Sequence, residues 1–150
     1  MKVLVKRLTD SAIVPHYEHD GDSGMDLYAD ETIELRPMQR ALVRTGISIQ
    51  VPKGFEAQVR AKSGLALNHG IGLINGIGTI DSGYRGEIKV IAINFGEKNF
   101  TIEKGKKIAQ LVFLRVENAE IELSEELDGT TRNDGGFGST GLHKKVKGND

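Results

Sequence analysis

The chain has 150 residues, no cysteine, and 20 basic against 21 acidic side chains for a formal net charge of -1. That length suits one domain, which would bury about two thirds of its unfolded surface. The balanced charge excludes a chain-wide field for nucleic acid or an anionic membrane, so any anion is held locally. The missing thiols exclude disulfides, thiolate metal sites and cysteine nucleophiles, and suit a reducing cytoplasm. Lys2, Lys6 and Arg7 interrupt the first apolar residues too early for a secretory leader, and no apolar run reaches the length of a membrane span. A soluble cytoplasmic protein is the expectation.

The 19 glycines lie between short apolar segments, as many tight turns require. In chain order, period-two alternation predicts half-buried strands at residues 32–35, 47–51, 55–61 and 87–90. Val51-Pro52-Lys53-Gly54 reads as a type I turn with Pro second and Gly fourth. Ser63 to His69 is the one helical segment expected, about two turns long, and Asn75 to Glu87 reads as a hairpin followed by a turn. Ile91-Ala92-Ile93 and residues 108–114 are more continuously apolar, which suits strands covered on both faces by a second sheet or another subunit. The pattern favours an all-β, jelly-roll-like sandwich or barrel over alternating β and α units. From Ser124 the chain turns acidic, then glycine-rich, then lysine-rich, and cannot build a core. The division expected is a β-domain over residues 1–123 and a flexible C-terminal arm over 124–150.

Within that arm, residues 132–141 combine one cation, Arg132, one aromatic, Phe137, two hydroxyls, Ser139 and Thr140, and many unhindered backbone N–H groups. Residues 136–141 match G-x-G-x-x-G, yet no strand precedes them and nine residues follow, so no dinucleotide-binding βαβ unit can form. Gly105-Lys106 is followed by Lys107 where a phosphate-binding P-loop needs Ser or Thr. A glycine-rich arm folding over an anion, with Arg132 pairing a phosphate and Phe137 covering a base, remains open. His16 and His19 have metal-ligand spacing but lie in a polar loop with Glu18 and Asp20, where solvated histidines are the simpler reading. Asp81, beside Ser82-Gly83, taken alone would be a turn cap.

Its company changes that reading. Ser23-Gly24-Met25-Asp26-Leu27-Tyr28-Ala29, Ala61-Lys62-Ser63-Gly64-Leu65-Ala66, residues 75–87, residues 105–112 and the glycine arm together resemble the five ordered motifs of the trimeric dUTP pyrophosphatase family. The resemblance covers about Asp22 to Gly141. It implies hydrolysis of dUTP to dUMP and pyrophosphate, which limits uracil in DNA and supplies dUMP for thymidylate synthesis. It also implies Mg2+ as cofactor, and a homotrimer whose active sites each draw on more than one subunit and are closed by the arm. Neither nucleic acid nor membrane is an expected partner.

By position, the resemblance makes Asp81 the carboxylate that orients water for in-line attack on the α-phosphorus. Tyr84 lies against the deoxyribose and leaves no room for a 2′-hydroxyl. Asn75, with Gly78, Thr79 and Ile80 beside it, reads the uracil edge. Lys62, Ser63 and Gly64 contact the phosphates, with Ser63 at the bridging oxygen, Gln110 assisting at the α-phosphate and Lys89 as a further phosphate contact. Asp26 holds a water on the Mg2+ that the triphosphate chelates. Arg132, Gly138, Ser139 and Thr140 hold the terminal phosphates while Phe137 stacks on the base. The chain departs from the family's usual residues with Lys62 for Arg, Ser23 for Ala and Asn133 for Gly; Asn is the residue best able to share glycine's positive φ. The rival enzyme reading is the dCTP deaminase branch, which needs an acid/base group at the base end of the pocket. The rival of another class is a non-catalytic nucleotide-sensing protein of the same fold.

Overall fold

The structure, a computed structural model, describes residues 1–139. In chain order its elements are β1 (Leu4–Arg7), β2 (Met25–Tyr28), β3 (Ile33–Leu35), β4 (Arg40–Gln50), β5 (Phe55–Ala61), α1 (Ser63–His69), β6 (Ile71–Leu73), β7 (Gly78–Ile80), β8 (Glu87–Asn94), β9 (Phe100–Ile102) and β10 (Lys107–Arg115). One four-stranded sheet has the order β1-β4-β8-β6, the other β2-β10-β5-β7, and β3 pairs with β9. The pairings are antiparallel. Val43, Ile47 and Ile49 of β4 and Ile88 and Val90 of β8 share one buried core with Leu27 of β2, Ala57 and Val59 of β5 and Ala109 and Leu111 of β10. Each large apolar side chain so buried contributes about 1.5–3 kcal/mol. This is the all-β sandwich with one short helix that the alternation and the glycines pointed to.

Strand β5 shows how pattern becomes layer. Ala57 and Val59 are buried, while Glu56, Gln58 and Arg60 point to the other face and are half-buried. There Arg60 donates to Gln58 Oε1 from Nε at 3.0 Å and from Nη2 at 2.7 Å, and Gln58 Nε2 donates to Glu56 Oε1 at 2.6 Å.

Three local expectations need correction. Strand β4 begins at Arg40, seven residues before the alternation is legible, because its pairing with β8 is broken between Arg44 and Ser48. Gly46 sits in that bulge at φ +68, and the run from Thr45 to Ile49 is buried throughout. The turn after β4 is displaced by one residue: Phe55 N donates to Pro52 O at 3.2 Å, putting Gly54, at φ +84, third in the turn, where positive φ belongs to type II. Residues 75–87 form no hairpin. Strand β6 pairs with β8, whereas β7 pairs with β5 in the other sheet, so the turn around Asn75 carries the chain from one layer to the other.

The continuously apolar stretches are not covered on both faces by this chain: Ile91 is 36 % exposed, and Val112, Phe113 and Leu114 are half-buried. Between β2 and β3, the Asp30 side chain accepts hydrogen bonds from Thr9 Oγ1 at 2.5 Å and Ser11 Oγ at 2.7 Å, with Lys104 Nζ at 3.4 Å. This clasp fastens the N-terminal segment to the sandwich.

The chain divides into two compact units, Met1–Glu117 and the residues from Asn118 onward. The second has turns but no helix or strand among its described residues.

Candidate active site

Strands β4, β5, β7 and β8 surround a pocket of about 360 Å³ lined by Leu42, Val59, Asn75, Gly78, Thr79, Ile80, Tyr84, Glu87, Ile88, Lys89 and Ile91. Six residues assigned to substrate from the sequence thus converge: Asn75, Gly78, Thr79, Ile80, Tyr84 and Lys89. The register explains the company, since Val59 pairs with Gly78, Gln58 with Thr79, and Leu42 with Ile91. The cavity joins an apolar wall to a few polar groups, the usual composition of a site for one flat heterocycle.

Asp81 directly follows Ile80, and its side chain is exposed. Its carbonyl accepts from Tyr84 N at 3.0 Å, closing a turn that Arg85 braces by donating from Nη1 to Ser82 O and Tyr84 O, both at 2.7 Å. The carboxylate therefore stands at the end of a lining strand on a fixed turn.

Glu87 is the carboxylate among the lining residues, and it is already engaged. Arg44 Nε donates to both its oxygens at 3.2 Å, Gly46 N donates to Oε1 at 3.0 Å, and Lys89 Nζ lies 3.8 Å from Oε2. A carboxylate so tied is a strut, poorly suited to shuttling protons at the base as a deaminase requires.

A second, charged cluster forms around the end of β5. Asp26 is buried; its Oδ1 accepts from Lys62 Nζ at 2.5 Å, and its Oδ2 lies 2.9 Å from Lys107 Nζ. Burial pushes the Asp26 carboxyl up, but hydrogen bonds from Lys107 and Lys62 outweigh it and hold the group below the usual aspartate range. Lys107 also bonds Glu18, whose carboxyl is lowered by that hydrogen bond. Hydrogen bonds that Lys107 donates to Asp26 and Glu18 raise its ammonium. His16 belongs to the fringe of this group, 3.4 Å from Glu18 and stacked on Tyr28.

A backbone irregularity assembles the cluster. Along a regular strand, residues 107 and 110 would face opposite ways. Between Lys107 and Ala109 the pairing with β2 slips by one, so Lys107 pairs with Tyr28 while Gln110 pairs with Asp26. The bulge thereby turns Lys107 to the face that carries Asp26 and Gln110. Gln110 also pairs with Arg60, so Asp26, Gln110 and Arg60 form one row across three strands.

Lys62 follows β5 directly and is the N-cap of α1, whose Ser63 and Gly64 are exposed. From Val59 in the pocket wall to Lys62 is three residues of extended chain, roughly 10 Å. Both clusters thus hang on one strand.

As a metal ligand, Asp26 has limited capacity. Both oxygens face ammonium groups, so an inner-shell dication would displace Lys62 or Lys107, and no cluster of three or more His, Asp or Glu occurs among the described residues. The remaining lone pairs can still accept from a water, the role expected of Asp26 and one that fits Mg2+, which keeps several waters.

In the second unit, Thr130 and Asn133 clasp each other: Thr130 N donates to Asn133 Oδ1 at 2.8 Å and Asn133 N to Thr130 Oγ1 at 2.9 Å. Asn133 adopts φ +42, the conformation for which it stands in for glycine. Arg132 Nε donates to Gly135 O at 2.8 Å, Phe137 is fully exposed at φ +46, and Ser139 N donates to Gly136 O at 2.9 Å. Gly138 follows at φ +94, and Thr140 lies outside the described residues.

Three participants escaped the sequence reading. Lys107 carries no signal in the sequence because the β10 bulge is invisible to alternation. Glu87 reads in the sequence as an ordinary strand residue, and its one local signal is a carboxylate set between Gly86 and an isoleucine at the start of an apolar alternation. Gly86, against the Tyr84 ring, carries no side chain to draw notice.

Comparison with known proteins adds four findings. The dUTPase family model matches residues 10–141. The deoxyuridine 5'-triphosphate nucleotidohydrolase of Clostridium kluyveri is 55% identical over 141 residues, 94% of this chain and 99% of that protein. Among solved structures, the dUTPase of Staphylococcus bacteriophage 80alpha with dUpNHpp superposes with a TM-score of 0.89 at 27% identity, covering 94% of this chain and 99% of that one. A mutant dUTPase from phage phi11 of S. aureus, described with a structural Mg(II) ion, shares the fold at a TM-score of 0.81 and 22% identity, over 86% of this chain and 100% of that one.

Proposed function

This chain belongs to the dUTPase family and hydrolyses dUTP to dUMP and pyrophosphate, and we propose that Asp81 orients the attacking water while the two clusters on β5 divide the nucleotide between them. The observation that carries this reading is the pocket itself. It gathers Asn75, Gly78, Thr79, Ile80 and Tyr84 around one slot, with Asp81 on the braced turn at its end.

In this reading the base enters between the Val59–Gly78 wall and Leu42, and Asn75 with the backbone of β7 reads the uracil edge. Tyr84 lies against the sugar. The triphosphate runs toward the end of β5, where Lys62, Ser63, Gly64 and Gln110 meet it. Water held by the Asp81 carboxylate attacks the α-phosphorus in line, the bond to the bridging oxygen breaks, and pyrophosphate leaves with that oxygen's charge held near Ser63. Mg2+ bound to the triphosphate would neutralise phosphate charge as the anhydride breaks, with Asp26 holding one of its waters. Lys89, in the pocket wall, contacts substrate from the β8 side. Arg132, Phe137, Gly138, Ser139 and Thr140 complete the site when the arm closes.

We also propose a homotrimer in the cytoplasm. The half-buried Val112 and Leu114 and the exposed Leu4, Val5 and Leu8 supply apolar surface for subunit contact, and a cysteine-free chain suits that compartment.

The test is Asp81→Asn. The variant should bind a non-hydrolysable dUTP analogue as the parent does while kcat for pyrophosphate release falls by at least about a hundredfold. Unchanged turnover would remove Asp81 from the mechanism.

A further inference from the structure

We propose that Gly86 is a specificity-determining residue, because the space left by its missing side chain is the seat of the Tyr84 ring, and that this seating sets discrimination between deoxyribose and ribose. The inference rests on the reading above that Tyr84 lies against the sugar.

The geometry is direct. A Cβ added to Gly86 would lie 2.3 Å from the Tyr84 hydroxyl oxygen, 2.5 Å from Cζ and 3.0 Å from Cε2, so no residue with a side chain can coexist with the ring in its present position. The hydroxyl is tethered on the same side, donating to Glu87 O at 3.1 Å. The strand holding that carbonyl is in turn fixed, since the Glu87 side chain takes hydrogen bonds from Arg44 and Gly46 N.

Backbone conformation does not explain this glycine. Gly86 is not among the glycines with positive φ, so alanine meets no backbone penalty there. What alanine meets is the ring. The turn beneath Tyr84 is held by the Asp81 carbonyl and by Arg85, while Tyr84 as a residue is 47 % exposed, which leaves its ring room to swing outward. A methyl group at Gly86 therefore displaces the ring from the pocket wall without dismantling the fold. With the ring swung aside, the wall admits a hydroxyl, a group whose exclusion by shape alone is worth about a hundredfold.

The experiment compares parent, Gly86→Ala, Tyr84→Ala and the double variant, reading kcat/KM for dUTP and for UTP by pyrophosphate release, with thermal unfolding alongside. Gly86→Ala should lower the dUTP-to-UTP ratio about tenfold or more, Tyr84→Ala should lower it at least as far, and the double variant should match Tyr84→Ala, since the methyl has no ring left to displace. If Tyr84→Ala relaxes selectivity and Gly86→Ala does not, the inference about Gly86 is overturned while the role of Tyr84 stands. If Tyr84→Ala leaves the ratio unchanged, the underlying reading of Tyr84 fails and this inference with it. Should Gly86→Ala fail to fold, a double variant that folds supports the collision, and one that also fails shows that the glycine serves the backbone and overturns the proposal.

Discussion

Replacing Asp26 by Asn keeps the side chain's size and removes its charge. In the parent, that carboxylate is 6 % exposed and answers two ammonium groups, Lys62 at 2.5 Å and Lys107 at 2.9 Å. Removing one partner of a fully buried pair costs about 3–5 kcal/mol because a charge is stranded. Here the stranded groups are Lys side chains 27 % and 37 % exposed, and both can swing into water, so the loss is discounted toward the surface range, to about 2 kcal/mol. That is roughly a thirtyfold fall in the folded-to-unfolded ratio. The assay is urea unfolding at one fixed protein concentration, without nucleotide or metal, from pH 3 to pH 8. The sign follows from the depressed carboxyl. Its contribution is complete above the ordinary aspartate value of 3.8 and disappears as pH falls through the lower folded-state value. Parent and variant curves should therefore lie about 2 kcal/mol apart at neutral pH and converge in acid. Equal stability at pH 7, or a gap that widens in acid, would refute the account of Asp26 as a paired carboxylate.

Gly46→Ala should cost about 3 kcal/mol in the same unfolding measurement, combining left-handed strain with disruption of the Asp30 clasp, because the new Cβ would sit 2.6 Å from Asp30 Oδ2 and 2.8 Å from Thr9 Oγ1. Gly54→Ala is its control: φ is +84 but the space is open, so it should lose the strain alone, about 1 kcal/mol. Equal losses would show that crowding at the clasp is unimportant. Deleting residues 129–150 should leave the unfolding midpoint of the β-domain within about 2 °C while lowering kcat/KM for dUTP by at least about a hundredfold; full activity in the truncated chain would show that the arm takes no part in hydrolysis.

Much of this architecture was legible in the sequence, and for definite reasons. Strand β5 and helix α1 match their predicted limits because Phe55–Ala61 alternates cleanly and Lys62 separates it from a helix-forming run. The convergence of Asn75, Gly78, Thr79, Ile80 and Tyr84 was legible as a motif, since Asn75 through Tyr84 are close in sequence and remain close in space. What stayed hidden lies where the backbone breaks its own period. Gly46 interrupts β4, so its first half read as unstructured, and the Ile108 bulge reverses the facing of Lys107, so a cation that holds Asp26 looked like an ordinary strand-entry lysine. The crossing from β6 to β7 misled for another reason: adjacent short strands joined by a turn are usually partners, and nothing local records that each pairs in a different sheet.

That crossing has a consequence for selectivity. The slot's walls come from opposite layers of the sandwich, Leu42, Lys89 and Ile91 from one, Val59, Thr79 and Ile80 from the other. Its bore is therefore gauged by the buried side chains that hold the layers apart, Val43, Ala57, Ile88 and Val90 among them. With the base seated in this slot as proposed, its fit is tuned from the inside of the molecule, and a methylene gained or lost in the core changes the calibre of the slot.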